Sequence, residues 1–222
     1  VDIAKADAPG NAVAGPEWRI SEPLVEYQDA IVVMEARVAA IRAGQAPELV
    51  WLVEHPPLYT AGTSAQDTDL LDARFPVHRT GRGGQWTYHG PGQRVGYVML
   101  DLRARGLGPR DFVRAIEAWL LAALGRFGVR AETREGRTGI WIADRRSGQE
   151  DKIGAIGVRV SGGVSWHGFA LNLEPALEHY AGITPCGIRG HGVTSLARLG
   201  LLVTMAELDA ALIASFGDVF RA

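Results

Sequence analysis

KIGAIGVRVSGGVSWHGFALNL, residues 152–173, is the stretch whose reading decides the fold. Lys152–Val160 is rich in Ile and Val, with glycine at 154 and 157. Ser161-Gly162-Gly163 then gives a hairpin signal, because paired glycines accept the positive φ that a tight turn needs. Val164–Leu173 follows as a second run of strand formers. Two long strands around a short turn predict an antiparallel hairpin. In its second strand, alternation places Gly168 and Ala170 on one face and His167 and Phe169 on the other. Small residues on a strand face leave room for an apolar ligand chain, and tight packing against another layer would use them equally well.

Working upstream, Gly139–Ala143 reads as a strand, separated from the hairpin by the polar turn DRRSGQED. Residues 109–127 read as a helix opened by Pro109, with Phe112, Ile116, Leu120, Ala123 and Phe127 on one face. Val95–Leu100 reads as a strand. Residues 55–94 are rich in Gly, Pro, Thr and His and predict long loops with short strands, which are uncommon in compact domains unless they have work to do. LVWLV at 49–53 predicts a buried strand, ended by EHPP. Residues 24–43 predict a helix, with Pro23 at its first position, Gly44 as its stop, and Leu24, Tyr27, Ile31, Met34, Val38 and Ile41 at helical spacing. Downstream, Thr204-Met205-Ala206-Glu207 is a capping box that starts a last helix. Helices mixed with a central block of consecutive strands predict an α+β fold. The chain has 222 residues, the size of one compact domain. We place that domain at 17–222, behind a flexible Ala/Gly-rich tail at 1–16.

The composition narrows the function. Hydrophobic residues are 47% and charged residues 22%, with a net charge of −2, so nothing marks a nucleic-acid partner or an anionic membrane. No apolar run reaches the ~18–20 residues of a membrane span. A single cysteine excludes an intramolecular disulfide and a thiolate zinc cluster. The six histidines show no metal-ligand spacing, so no metal is expected.

The chemistry-bearing residues fall in three places. Cys186 lies in Thr184-Pro185-Cys186-Gly187, where proline and glycine put the thiol on a turn. It reads either as a small buried hydrophobe or as a nucleophile. In the second case the N–H of Gly187 is free to hold an oxyanion. Lys152 opens a glycine-bearing apolar strand. It reads as a snorkelling surface lysine or as a partly buried one suited to holding a thiolate and moving a proton. RGGQWTYHGPGQ, residues 82–93, is either a glycine-rich surface turn or a ligand loop, with Arg82, Tyr88 and His89 supplying a cation, an aromatic wall and a proton carrier. It fits neither a Walker loop nor a dinucleotide fingerprint.

Taken together, EHPPLYTAGTSA (54–65), RTGRGGQWTYHGPGQ (79–93), KIGAIGVRV (152–160), SWHGFALNL (165–173) and TPCG (184–187) resemble the lipoyl(octanoyl) transferase family, in the same order over roughly residues 20–215. That family is related to biotin and lipoate protein ligases. The resemblance implies a biotin/lipoate-ligase-like α+β catalytic domain, a mixed sheet packed with helices plus a smaller sheet. It implies transfer of octanoyl from acyl carrier protein to a lysine of lipoyl domains, in 2-oxoacid dehydrogenases and the glycine cleavage H protein. Cys186 would form the acyl-thioester and Lys152 would tune it. Substrate contacts would come from Arg82, Gly83, Gly84, Gln85, Trp86, Thr87, Tyr88 and His89, from Ala155, Ile156 and Gly157, and from Gly168, Phe169 and Ala170. No cofactor is implied beyond the phosphopantetheine arm that the carrier brings, and the setting would be cytoplasmic. An acidic carrier calls for a basic rim, for which Arg79, Arg82, Arg137 and Arg159 are the candidates. Trp166 stands where tyrosine or phenylalanine is usual, and Trp86 fills a variable slot. An ATP-dependent ligase, an acyl-holding module and a cysteine hydrolase are the competing readings.

Overall fold

The computed structural model describes residues 15–143, 148–184 and 191–220; the expected tail lies almost wholly outside them. At its centre is the expected hairpin. Strand β8 (Glu150–Ser161) pairs antiparallel with β9 (Val164–Asn172), from Gly154 opposite Leu171 to Ser161 opposite Val164. Gly162 and Gly163 turn the corner at φ +58° and +86°, positive at both central positions as in a type I′ two-residue turn.

The hairpin is the middle of a large mixed sheet. Strand β9 continues to β6 (Gln93–Met99), then β2 (Leu49–Val53), then β1 (Glu17–Ile20). The pairings are antiparallel except for β1 with β2. The first residues of β8 also pair antiparallel with β7 (Ile140–Ala143) and parallel with β10 (Gly192–Val193). A smaller sheet, ordered β4 (Val77–Arg79), β3 (Leu58–Ala61), β5 (Trp86–His89), is built from the Gly/Pro/His-rich stretch.

Alternation along the strands sorts the large sheet into two apolar layers. Val50, Leu52, Val98, Phe169 and Leu171 face helices α2 (Pro109–Gly125) and α3 (Met205–Val219). Trp119 of α2 meets Phe169 and Phe216 edge-on, each with centroids at 5.2 Å, and donates its indole N–H to Leu212 O at 2.8 Å. Leu49, Trp51, Val95, Tyr97 and Ala170 face the other way, toward Met34 and Val38 of helix α1 (Tyr27–Arg42). One charged pair breaks the apolar pattern: Arg94 of β6 and Asp209 of α3 form a two-pronged ion pair at 2.8 Å, with side chains 4% and 7% exposed. The capping box at Thr204–Glu207 is present.

Two expectations change. Helix α1 begins at Tyr27, not at Pro23 or Leu24. The main chain at Val25 is already committed, its N–H to Glu54 O at 2.9 Å and its carbonyl to His55 Nδ1 at 2.6 Å; Glu26 is extended at φ −61° and ψ 136°, and Leu24 is 46% exposed. The second change is at His167. It does not share the face of Phe169, because φ is +55° there and its ring turns back to meet Tyr97 and Trp166 on the α1 side.

Candidate active site

Lys152 reaches its position through an irregularity in β8. Trp141 pairs with Lys152 but Ile140 pairs with Gly154, so Ile153 is an extra residue, a β-bulge. In a regular strand an even-numbered Lys152 would face away from odd-numbered Ala155 and Gly157. The bulge lets Ile153 enter the α2/α3 layer while Lys152 lines the same cavity as Ala155 and Gly157. Lys152 is 8% exposed. Its Nζ donates to Thr138 O at 2.8 Å and lies 4.9 Å from the centre of the Trp141 ring. That ring is fixed by its own N–H on Arg137 O at 3.0 Å, and Arg137 is held in turn by Glu150 at 2.5 Å and His191 Nε2 at 3.0 Å.

From Lys152 a cavity of about 250 Å³ runs along the hairpin toward Tyr27 and His167. This is close to the small end of ligand pockets, ~300–1,000 Å³. Its floor is Ala155, Ala170 and Val95, then Gly157, Gly168 and Tyr97. Its roof is the loop at 82–85, tied down by Gly83 N–H to Val158 O at 2.9 Å. Gly157 is required there, since a Cβ would stand 2.9 Å from Gly83 O and 3.0 Å from Arg82 Cδ. Arg82 is itself buried. It donates to Thr60 O at 2.9 Å, Thr60 Oγ1 at 2.7 Å, Gln85 O at 3.0 Å and Gly83 O at 2.9 Å.

His89 is fixed by a polar chain. Gln93 Nε2 donates to Asn172 Oδ1 at 3.0 Å, so Gln93 Oε1 must accept from His89 Nδ1 at 2.7 Å. Asn172 passes the chain on to Thr194 O at 2.9 Å. Burial, and then the charge of His55, push the His89 pKa down to about 3. A ring held that low is neutral at neutral pH, and its hydrogen bonds tie it to Gln93 and Thr60. Burial likewise brings His167 to about 4, with Arg82 and Arg159 adding to the effect. Burial also brings His55 to about 4; its Nε2 accepts from Tyr97 OH at 2.6 Å.

The anticipated substrate residues converge. All but Gly83 and Tyr88 line the cavity. Gly83 serves through its backbone bond to Val158. Tyr88 points into the core of the smaller sheet, beside Tyr59 and Phe75, with its hydroxyl on His179 Nδ1 at 2.8 Å. Phe169 and Ile156 turn their side chains into the α2/α3 layer and offer the cavity main chain. Trp86 lines the cavity, with its indole N–H on Gln66 O at 2.7 Å, whereas Trp166 lines a neighbouring one. Cys186 lies outside the described residues. Of the candidate rim, Arg82 is buried and Arg137 is taken up by Glu150, which leaves Arg79, paired with Asp67, and Arg159, over Trp166, facing outward. Tyr27, Thr60, Tyr97 and Asn172 were not foreseen. Both tyrosines sit on apolar faces that periodicity reads as core, while a polar Asn172 at the end of a buried strand was a usable signal.

The chain matches the family described as lipoyl protein ligase A/B catalytic domain over residues 26–217. The chain belongs to this family. It is 63% identical over 207 residues to an octanoyltransferase of Paramagnetospirillum magneticum, covering 93% of this chain and 97% of the other. It is 61% identical over 211 residues to an octanoyltransferase of Paracoccus denitrificans, covering 92% and 97%. Likeness over nearly the whole of both chains makes this family member an acyltransferase. Its fold also matches a solved bipartite lipoate protein ligase of Thermoplasma acidophilum, with a TM-score of 0.67, 17% identity, and 92% of this chain and 84% of the other covered. The α+β ligase-like architecture is thus the family's own. Among the described residues no helix is long and apolar enough to cross a membrane.

Proposed function

We propose that the protein transfers an octanoyl group from acyl carrier protein to a lysine of a lipoyl domain, through a thioester on Cys186. The observation that supports this best is the buried Lys152 side chain at one end of a channel floored by alanine and glycine. Tyr180 and Val193, on either side of the Cys186 segment in sequence, both line that cavity, and Val193 pairs with Lys152. This favours a thiol working beside the lysine.

In the first half-reaction the Cys186 thiolate attacks the octanoyl thioester carbonyl. The tetrahedral oxyanion collapses, the carrier thiolate leaves and takes a proton, and octanoyl remains on Cys186. In the second, the acceptor's neutral ε-amine attacks, an amide forms, and Cys186 departs as thiolate while the nitrogen gives up a proton. Lys152 stabilises the thiolate as an ammonium and exchanges the proton between steps. Arg82 and His89 hold the roof, and the alkyl chain lies over the glycine and alanine floor. Thioester exchange is nearly balanced and amide formation is downhill, so the scheme needs no ATP. The cytoplasm, where thiols stay reduced, is the setting this reading takes.

The test is intact-mass analysis after mixing with octanoyl-acyl carrier protein, without ATP. We expect a hydroxylamine-labile gain of one octanoyl group, absent in Cys186→Ala and passed to an added lipoyl domain. Lys152→Met should slow loading by ~10²–10⁴-fold with the fold intact by circular dichroism. Acyl transfer that appears only with ATP and free octanoate would replace this scheme with a ligase.

A further inference from the structure

We propose that His167 and Tyr27 are the ruler that sets acyl-chain length: they form the wall at which the methyl end of the chain stops. The inference rests on the reading above, in which the acyl carbonyl sits beside Lys152.

The paired strands arrange the floor in rows of side chains, two residues or ~7 Å apart along the strand. Gln93 and Asn172 form the first row, beside the reactive end. Val95, Ala170 and Ala155 form the second, and Tyr97, Gly168 and Gly157 the third. The fourth is Trp166 opposite Arg159, whose guanidinium lies 5.0 Å from the Trp166 ring centre. Alanine and glycine on the two hairpin strands thus open a slot over two rows, beside Val95 and Tyr97 of β6, and bulky side chains close it.

His167 closes it further, against its backbone's preference. A regular residue at 167 would point to the α2/α3 side. The left-handed φ of +55° brings the ring to the α1 side instead, stacked on Trp166 at 6.3 Å and 6.4 Å from Tyr97. Glycine would adopt this φ without strain, yet an imidazole stands here.

Beyond the wall lies a second cavity of about 320 Å³ that shares Tyr27 and His167 with the first. Its lining includes the charged side chains Glu35, Arg79 and Arg159. A longer alkyl chain would have to displace the wall and then lie among charged groups, which is unfavourable on both counts.

The experiment compares donors that carry eight-, ten-, twelve- and fourteen-carbon acyl groups on one carrier, with a lipoyl domain as acceptor, and reads kcat/KM for each. His167→Gly removes the ring and relieves the strain; Tyr27→Ala opens the opposite side; Tyr27→Phe keeps the wall. The twelve-to-eight-carbon ratio should rise by about ten-fold or more in His167→Gly and Tyr27→Ala, on the scale of one or two methylenes in a pocket. It should stay at the wild-type value in Tyr27→Phe. Thermal unfolding confirms each fold, and His167→Gly decides alone if Tyr27→Ala does not fold. An unchanged ratio, with octanoyl transfer still slowed by Lys152→Met, overturns the ruler. Octanoyl transfer indifferent to Lys152→Met overturns the site on which it rests.

Discussion

Arg82 reaches acceptors on three residues with one planar fork, joining the roof loop to Thr60 of the smaller sheet. Lysine carries its donors on a single atom and cannot span those positions. Arg82→Lys should therefore leave at least one buried carbonyl unsatisfied, worth ~1–3 kcal/mol. Urea unfolding should show that loss, and KM for the octanoyl donor should rise by about ten-fold as the roof shifts. A variant with wild-type KM and midpoint would show the fork to be dispensable. His89 teaches a related lesson. Its place in the 82–93 segment gave no sign of the hydrogen-bond chain through Gln93 and Asn172 that holds its ring.

At the scale of elements, the hairpin β8–β9, strand β2 and the cap of α3 were legible because each has a local cause: paired glycines, an apolar run, a Thr–Glu box. What escaped depends on partners distant in sequence. Strand β1 is four residues that acquire strand character only by pairing with β2. The start of α1 is set by Glu54 and His55, and the Ile153 bulge is visible only against β7. The same holds for Arg94, which in sequence is one charge in an apolar strand and in the fold is the anchor of α3. Asp209→Asn should remove its counter-charge and destabilise the protein by ~3–5 kcal/mol. Arg94→Met with Asp209→Leu should restore most of that, because an apolar pair suits the layer. Midpoints in urea at constant m-value test both. Equal loss in the single and double variants would contradict the argument.

For the molecule as a whole, three buried neutral histidines tie stability to pH. In the unfolded chain each binds a proton near 6.5. In the folded chain His55 and His167 resist until about 4, and His89 until about 3. The unfolded state then binds more protons, so stability is complete above 6.5 and is lost as pH falls toward 4. Between pH 7 and 5 each group accounts for roughly 2 kcal/mol, together a large share of the ~5–15 kcal/mol of a typical domain. Urea midpoints at the two pH values should fall accordingly, and a flat profile would show that these rings are not held neutral. The large sheet, finally, has to end somewhere, and among the described residues one of its borders is β1, the other lying at β7 and β10. That strand is only four residues long, EWRI, with Glu17 held by Arg37. Brevity and alternating charge make it a poor template for a foreign strand, so crowded copies of this protein have little to zip onto along that border.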